Sequence, residues 1–145
     1  MNRNLISSKP CLDTSHTFLD HQGRMTLFMS GGIPLLVKLL GSPAEKVVFY
    51  AMSTLHKLLE HQEGAKAAVR AAGGIQKMVA LLKWKDSKFL SVNADCLQIL
   101  TFGDAEAKLA VWNSKGPRDV VNIVHRNRDE KLQWTASRLL RGEIG

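Results

Sequence analysis

Apolar positions along the chain recur in three similar blocks, and each block predicts a group of short helices. The phrase GGIPLLVKLL begins at Gly31, and GGIQKMVALL begins at Gly73, 42 residues later. In both phrases the apolar residues fall at i, i+3, i+4 and i+7, the spacing of a helix with one buried face. A further step of 42 residues reaches KGPRDVVNIV, which begins at Lys115 and keeps one of the two glycines. A repeat of this length is typical of solenoids whose units contain two or three helices.

The middle block shows how one repeat is organised. An alanine-rich stretch over 63–72 favours a helix, and the two glycines that follow permit a sharp reversal of the chain. The apolar stripe predicts a second helix over 75–83. A longer third helix is predicted over 88–102, with Asp86 or Ser87 as its N-terminal cap.

The other two blocks repeat this plan. The first predicts its long helix over 44–60, directly after Pro43, and the third over 130–141, with Asp129 as the cap. We therefore expect an all-α solenoid of about three three-helix repeats. The expected divisions are a poorly ordered N-terminal segment with a degenerate helix end, three repeats, and a truncated end to the last repeat, at residues 1–20, 21–61, 62–103 and 104–145.

Composition places the chain among folded intracellular proteins. With 45% hydrophobic and 23% charged residues, the 145-residue chain has the balance of one folded domain. No apolar run approaches the roughly 18 residues of a membrane span, and the first 20 residues lack the apolar stretch of a secretory signal. Cys11 and Cys96 are too few for a disulfide framework. We expect a cytoplasmic protein that keeps its thiols reduced and does not insert into membranes.

The net charge of +7 favours acidic partners. Positive residues are spread along the chain, and their densest group is KWKDSK at residues 83–88. This distribution favours acidic protein segments over a merely solvated surface, and it argues against a polynucleotide.

No motif in the chain predicts catalysis or a bound cofactor. Four histidines form two pairs at i, i+5, a spacing that does not place both imidazoles on one helix face for zinc. The chain has no GxSxG sequence and no phosphate-binding loop, and the Gly-Gly pairs are explained by helix reversal. We expect no enzyme activity, no metal, no cofactor and no small-molecule substrate.

Several longer phrases resemble the armadillo repeats of the β-catenin and plakoglobin family. They are SGGIPLLVKLLGSP, FYAMSTLHKLLEHQEGAKAAVRAAGG, KFLSVNADCLQIL and EKLQWTASRLL. The resemblance implies a right-handed superhelix in which the third helices line a basic groove. It further implies binding of acidic segments from cadherin cytoplasmic tails, T-cell-factor proteins, and the axin and adenomatous-polyposis-coli scaffolds. Roles in cell adhesion and Wnt signalling follow, in the cytoplasm, in the nucleus and at cell junctions.

The resemblance also implies which residues bind the peptide. Lys108 and Lys131 match family lysines that clamp acidic side chains, whereas Lys57 replaces a family asparagine and Phe102 a tyrosine. Spacing independently places Lys131, Trp134 and Arg138 on one helix face, and puts Gln98 one repeat after His56. The predicted groove residues are Phe49, Tyr50, His56, Lys57, Phe89, Phe102, Lys108, Lys131, Trp134 and Arg138.

The residues alone leave alternatives open. Phe49, Tyr50, Phe89 and Trp134 suit core packing as well as a groove, and the lysines suit a solvated surface. A basic solenoid that contacts nucleic acid or transport cargo is the second functional hypothesis, and a fragment without its own ligand is the third. Repeats without polar caps would also favour self-association through their ends.

Overall fold

Nine α-helices and no strand occupy the residues that the structure, a computed structural model, describes: 20–114, 116–126 and 129–144. A short 3₁₀ turn, Leu81–Lys83, follows the fifth helix. The helices are α1 (His21–Met29), α2 (Gly32–Leu39), α3 (Glu45–His61), α4 (Ala65–Ala71), α5 (Gly74–Ala80), α6 (Ser87–Thr101), α7 (Ala105–Asn113), α8 (Gly116–Arg126) and α9 (Glu130–Ile144).

The helices follow the predicted order of two short helices and one long helix, three times over. The long helices α3, α6 and α9 lie side by side, and α6 contacts both of the others. The predicted all-α solenoid is therefore confirmed. The predicted helix end before residue 20 lies outside the described residues.

Aspartate side chains begin four of the helices. Asp86 accepts hydrogen bonds from the backbone N–H groups of Lys88 and Phe89, at 2.9 and 3.1 Å, so Asp86 rather than Ser87 caps α6. The carboxylates of three further aspartates accept a backbone N–H three residues ahead in the same way, at the start of α1, α7 and α9: Asp20, Asp104 and Asp129. Each such cap contributes about 1 kcal/mol, because it satisfies a donor that the helix leaves unpaired.

The Gly-Gly pairs need glycine for two different reasons. Gly31 and Gly73 adopt φ of 78° and 79°, a left-handed conformation that other residues rarely tolerate. The second glycine of each pair lies against the preceding helix. A Cβ on Gly74 would lie 2.4 Å from Val69 Cγ1, and one on Gly32 would lie 2.5 Å from Leu27 Cδ1. The pair therefore allows both the reversal and the close packing of consecutive short helices.

The predicted apolar stripes form the core. All four stripe residues of α5 and its 3₁₀ turn are buried, and three of the four in α2 are buried while Leu36 packs against them. In α6, Leu90, Ala94, Leu97 and Leu100 are at most 1% exposed. The core is thus continuous along the solenoid, and the long helices present their opposite face to solvent.

Candidate peptide-binding groove

The three long helices meet around a depression of about 420 Å³. Three of the predicted groove residues line it, although they come from three different repeats: His56 of α3, Phe102 after α6, and Arg138 of α9. The full lining is His56, Glu60, Lys66, Asp95, Gln98, Ile99, Phe102 and Arg138. Side chains that are separated by up to 82 positions in the sequence (56 to 138) therefore share one concave surface.

His56 lies between two carboxylates in this depression. Its Nε2 atom is 3.6 Å from Glu60 Oε2, one turn later on α3, and 3.6 Å from Asp95 Oδ2 on α6. Both distances exceed those of a hydrogen bond, and the Nε2 atom is buried without a hydrogen-bond partner among the described residues. The imidazole therefore supports neither carboxylate by a direct hydrogen bond.

The charges around the depression are mixed rather than uniformly basic. Lys66 of α4 donates to the backbone carbonyl of Phe102 at 3.5 Å, and Arg138 approaches from α9. Two cationic side chains thus stand beside the two carboxylates of Glu60 and Asp95. The chain carries a net charge of +7, but this part of the groove is balanced, apart from any charge on His56.

Lys131, Trp134 and Arg138 share an exposed face of α9, as their spacing predicts. Trp134 is 59% exposed, and both basic side chains are exposed. Lys108 is only partly buried and lies on α7, the first helix of its repeat, outside the lining of the depression. The two lysines that the resemblance pairs as clamps therefore sit on different layers of the solenoid.

Phe89 was predicted to line the groove, and this prediction is wrong. Its side chain is 0% exposed. Phe89 lies one repeat after Val47 rather than after Phe49, and this register places it on the face of α6 that packs against α3. There its ring meets the edge of Phe49, with centroids 5.9 Å apart. Phe49 itself is partly buried against the core.

Tyr50 and Lys57 lie on a different stripe of α3 from His56. They are seven residues apart and so share a face, which also carries Val47 and Thr54. Tyr50 is 46% exposed and Lys57 is partly exposed. Neither residue lines the depression, so the structure separates them from His56, Phe102 and Arg138.

Two acidic residues and one lysine of the depression were missed by sequence reasoning. Glu60 follows His56 by four positions, and Asp95 lies 42 residues after Ser53, which shares that face of α3. Extending the repeat column through Ser53 would have found Asp95. Lys66 offered no such signal, because it reaches the depression from a first helix.

The described residues contain no cluster of three or more histidine, cysteine, aspartate or glutamate side chains suited to a metal ion. Within the same ranges, none of the helices combines the length and the apolar character that a bilayer crossing requires.

Comparison with known proteins shows where this fold and groove recur. The Armadillo/beta-catenin-like repeat family matches residues 20–59. Catenin beta of Urechis caupo is 53% identical over 142 residues, which cover 97% of this chain and 17% of the relative. Junction plakoglobin of Homo sapiens is 50% identical over 127 residues, which cover 87% of this chain and 17% of the relative. The chain thus spans about a sixth of the length of these relatives.

Solved structures agree. A chain from work on a phosphorylation switch that controls the interaction between cadherin and beta-catenin has a TM-score of 0.83 and 32% identity. The match covers 89% of this chain and 24% of that one. A designed armadillo repeat protein has a TM-score of 0.73 at 17% identity, over 86% of this chain and 52% of the designed chain, a likeness of fold alone.

The fold and the groove together define an armadillo-repeat solenoid. Within that class, the chain belongs to the β-catenin and plakoglobin family. Members of this family are adaptors rather than enzymes, which confirms the prediction of a non-enzymatic protein.

Proposed function

We propose that this chain is a scaffold segment that binds extended acidic protein segments along the face formed by α3, α6 and α9. The observation that carries the proposal is the convergence of His56, Phe102 and Arg138, from three repeats, on one depression. A solenoid repeats its surface along its axis, so an extended peptide can contact consecutive repeats in turn. The cadherin cytoplasmic tail is the first candidate, because the beta-catenin structure similar to this chain comes from work on that interaction.

Affinity and steering come from different residues in this proposal. Phe102 and Trp134 are 69% and 59% exposed, and aromatic rings of this kind supply most of the binding energy at protein interfaces. Lys131 and Arg138 attract the acidic segment and set its register, but each exposed ion pair contributes only about 0.2–1 kcal/mol. Lys57 and Lys108 add positive charge around the groove at positions outside the depression.

The finer assignments rest on family resemblance. T-cell-factor, axin and adenomatous-polyposis-coli segments are the other candidate ligands, with roles in adhesion and Wnt signalling in the cytoplasm, in the nucleus and at junctions. Two departures from the family bear on the choice among ligands. Lys57 cannot accept a hydrogen bond as an asparagine does, and Phe102 lacks the hydroxyl of tyrosine.

Fluorescence anisotropy with a labelled acidic peptide from a cadherin cytoplasmic tail tests the proposal. We expect the double variant Lys131→Glu/Arg138→Glu to weaken binding by about 5- to 100-fold, since it reverses two attractive charges. The control Lys38→Glu/Lys77→Glu makes the same charge change at exposed positions on the second helices α2 and α5. Equal weakening by both double variants would reduce the effect to net charge and would contradict a localised groove.

A labelled random DNA duplex, titrated at two salt concentrations, separates the alternative function. Binding of the duplex alone, with a steep loss of affinity at higher salt, would favour the nucleic-acid hypothesis over the peptide groove. A panel of cadherin, T-cell-factor and axin peptides then ranks the candidate ligands. The single variant Lys108→Glu tests whether the lysine on α7 takes part, and an unchanged affinity would remove it from the site.

A further inference from the structure

We propose that the depression between α3, α6 and α9 binds one cationic side chain, a lysine or an arginine, of the peptide that occupies the groove. This inference rests on the proposed function and specifies the ligand further. The peptide would then carry a basic residue among its acidic ones, rather than a uniform run of carboxylates.

Two carboxylates from neighbouring repeats provide the charge for such a site. Glu60 Oε2 and Asp95 Oδ2 are each 3.6 Å from the same atom, His56 Nε2, so they lie within about 7 Å of each other. An ammonium group forms hydrogen bonds to carboxylates at about 2.7–2.9 Å, so it can reach both after small side-chain rotations. Glu60 and Asp95 are 38% and 33% exposed, which leaves both accessible from the groove.

Neither carboxylate is satisfied from within the chain. Among the described residues, the contacts of Glu60 and Asp95 are the ion-pair contacts to histidine at 3.6–3.7 Å. These distances are too long for hydrogen bonds. The carboxylate oxygens therefore retain their capacity to accept from a donor on a ligand.

The remaining walls suit the rest of a lysine or arginine side chain. Phe102 is 69% exposed beside the carboxylates, and a cation over an aromatic face gains about 0.5–1 kcal/mol at an exposed site. Ile99 is partly buried in the same depression and offers an apolar surface to the methylene stem. Carboxylates, an aromatic ring and an aliphatic wall together favour a cationic side chain with a hydrocarbon stem.

The cations that line the depression determine what flanks the basic residue. Arg138 enters from α9, and Lys66 enters from α4, where it also donates to the Phe102 carbonyl. They attract acidic residues on either side of the bound cation. An acidic ligand residue placed over Glu60 and Asp95 would instead meet like charges at close range, which is unfavourable.

A lysine scan of an acidic groove-binding peptide tests the inference. Each position in turn becomes lysine in one peptide and methionine, an uncharged residue of similar length, in the other, and anisotropy compares the two affinities. We expect one register in which lysine binds wild-type protein about 3- to 30-fold more tightly than methionine. The variant Glu60→Gln/Asp95→Asn should lose this preference. The control Glu63→Gln, an exposed residue outside the lining, should retain it.

The outcomes separate this inference from the proposed function. If acidic peptides bind but lysine never exceeds methionine, or if the preference survives in Glu60→Gln/Asp95→Asn, the cation site is wrong and the groove remains. If no acidic peptide binds wild-type protein, the proposed function fails and the cation site fails with it. Phe102→Leu gives an independent check, because it keeps both carboxylates and should reduce the lysine preference only in part.

Discussion

The ring of Phe89 stacks on the ring of Trp84, with centroids 4.2 Å apart and planes inclined by 29°. On its other side Phe89 meets the edge of Phe49. Trp84 lies in the turn that leads into α6, and Phe49 lies on α3. The three rings therefore join the start of one long helix to its neighbour, and Phe89 acts in the packing between repeats.

Replacement of Phe89 by alanine should destabilise the fold strongly. A fully buried phenylalanine leaves a large cavity, and such substitutions typically cost about 3–5 kcal/mol. We expect this loss in urea unfolding followed by circular dichroism. Phe102→Ala is the matched control, because a 69% exposed ring should change stability by less than about 0.5 kcal/mol while weakening peptide binding. A stable Phe89→Ala variant with reduced peptide affinity would return Phe89 to the groove.

Gly74→Ala should destabilise the protein through overpacking. The new Cβ would lie 2.4 Å from Val69 Cγ1 and 2.9 Å from the Val69 carbonyl oxygen, so α4 and α5 would have to move apart. We expect a loss of about 1–3 kcal/mol in the free energy of unfolding. Gly41→Ala is the control, since the nearest atoms to its Cβ are 3.5 Å away. Equal midpoints for the two variants would show that the close approach at Gly74 does not matter for stability.

The ion pair between Arg70 and Asp104 should couple two neighbouring repeats. Arg70 lies on α4, and Asp104 also caps α7 by accepting the N–H of Ala107 at 3.0 Å. Asp104→Asn keeps a good cap and removes the charge, so we expect a loss of about 0.5–1 kcal/mol. Asp104→Ala removes both interactions and should cost about 1 kcal/mol more.

A double-mutant cycle with Arg70→Met isolates the ion pair. In that background Asp104→Asn should have little effect, because the charge has lost its partner. An undiminished effect in the Arg70→Met background would mean that the ion pair contributes nothing and that Asp104 acts through the cap alone.

Cys96 should be protected from thiol reagents in the folded protein. Burial raises the pKa of its thiol well above the ordinary value, and the charges of Asp95 and Glu60 raise that pKa further. In a Cys11→Ser background, we expect iodoacetamide to label Cys96 only as fast as the protein unfolds, because the thiolate is the nucleophile. Rapid labelling under native conditions would contradict its burial.

The same shift predicts a loss of stability at alkaline pH. Above about pH 8.5, the ordinary pKa of a thiol, the unfolded chain releases the Cys96 proton while the folded chain retains it. The free energy of unfolding should therefore fall as pH rises above this value. Cys96→Ala should show a weaker decline over the same range. Parallel pH profiles for the two proteins would exclude the thiol as the cause.

Local features of the chain were predictable because they depend on residues a few positions apart. The 42-residue repeat, the order of helices, the aspartate caps and the glycine reversals could all be read from spacing and residue type. The buried stripes of α2 and α5 were predictable for the same reason, since an apolar face with helical period must turn away from water. The shared face of Lys131, Trp134 and Arg138 required nothing more than a helix.

The groove depended on how the helices pack. Phe89 and Phe49 are both aromatic residues near the start of a long helix, but the register of α6 against α3 buries the first completely. Glu60, Asp95 and Arg138 belong to three helices, and no periodicity along the chain states that their charged ends meet. Sequence by itself determined which segments become helices and which faces are apolar, because hydrogen bonding and capping act within about four residues. The tertiary structure alone decided which side chains share the depression and what charge it carries, because that depends on how neighbouring long helices stack.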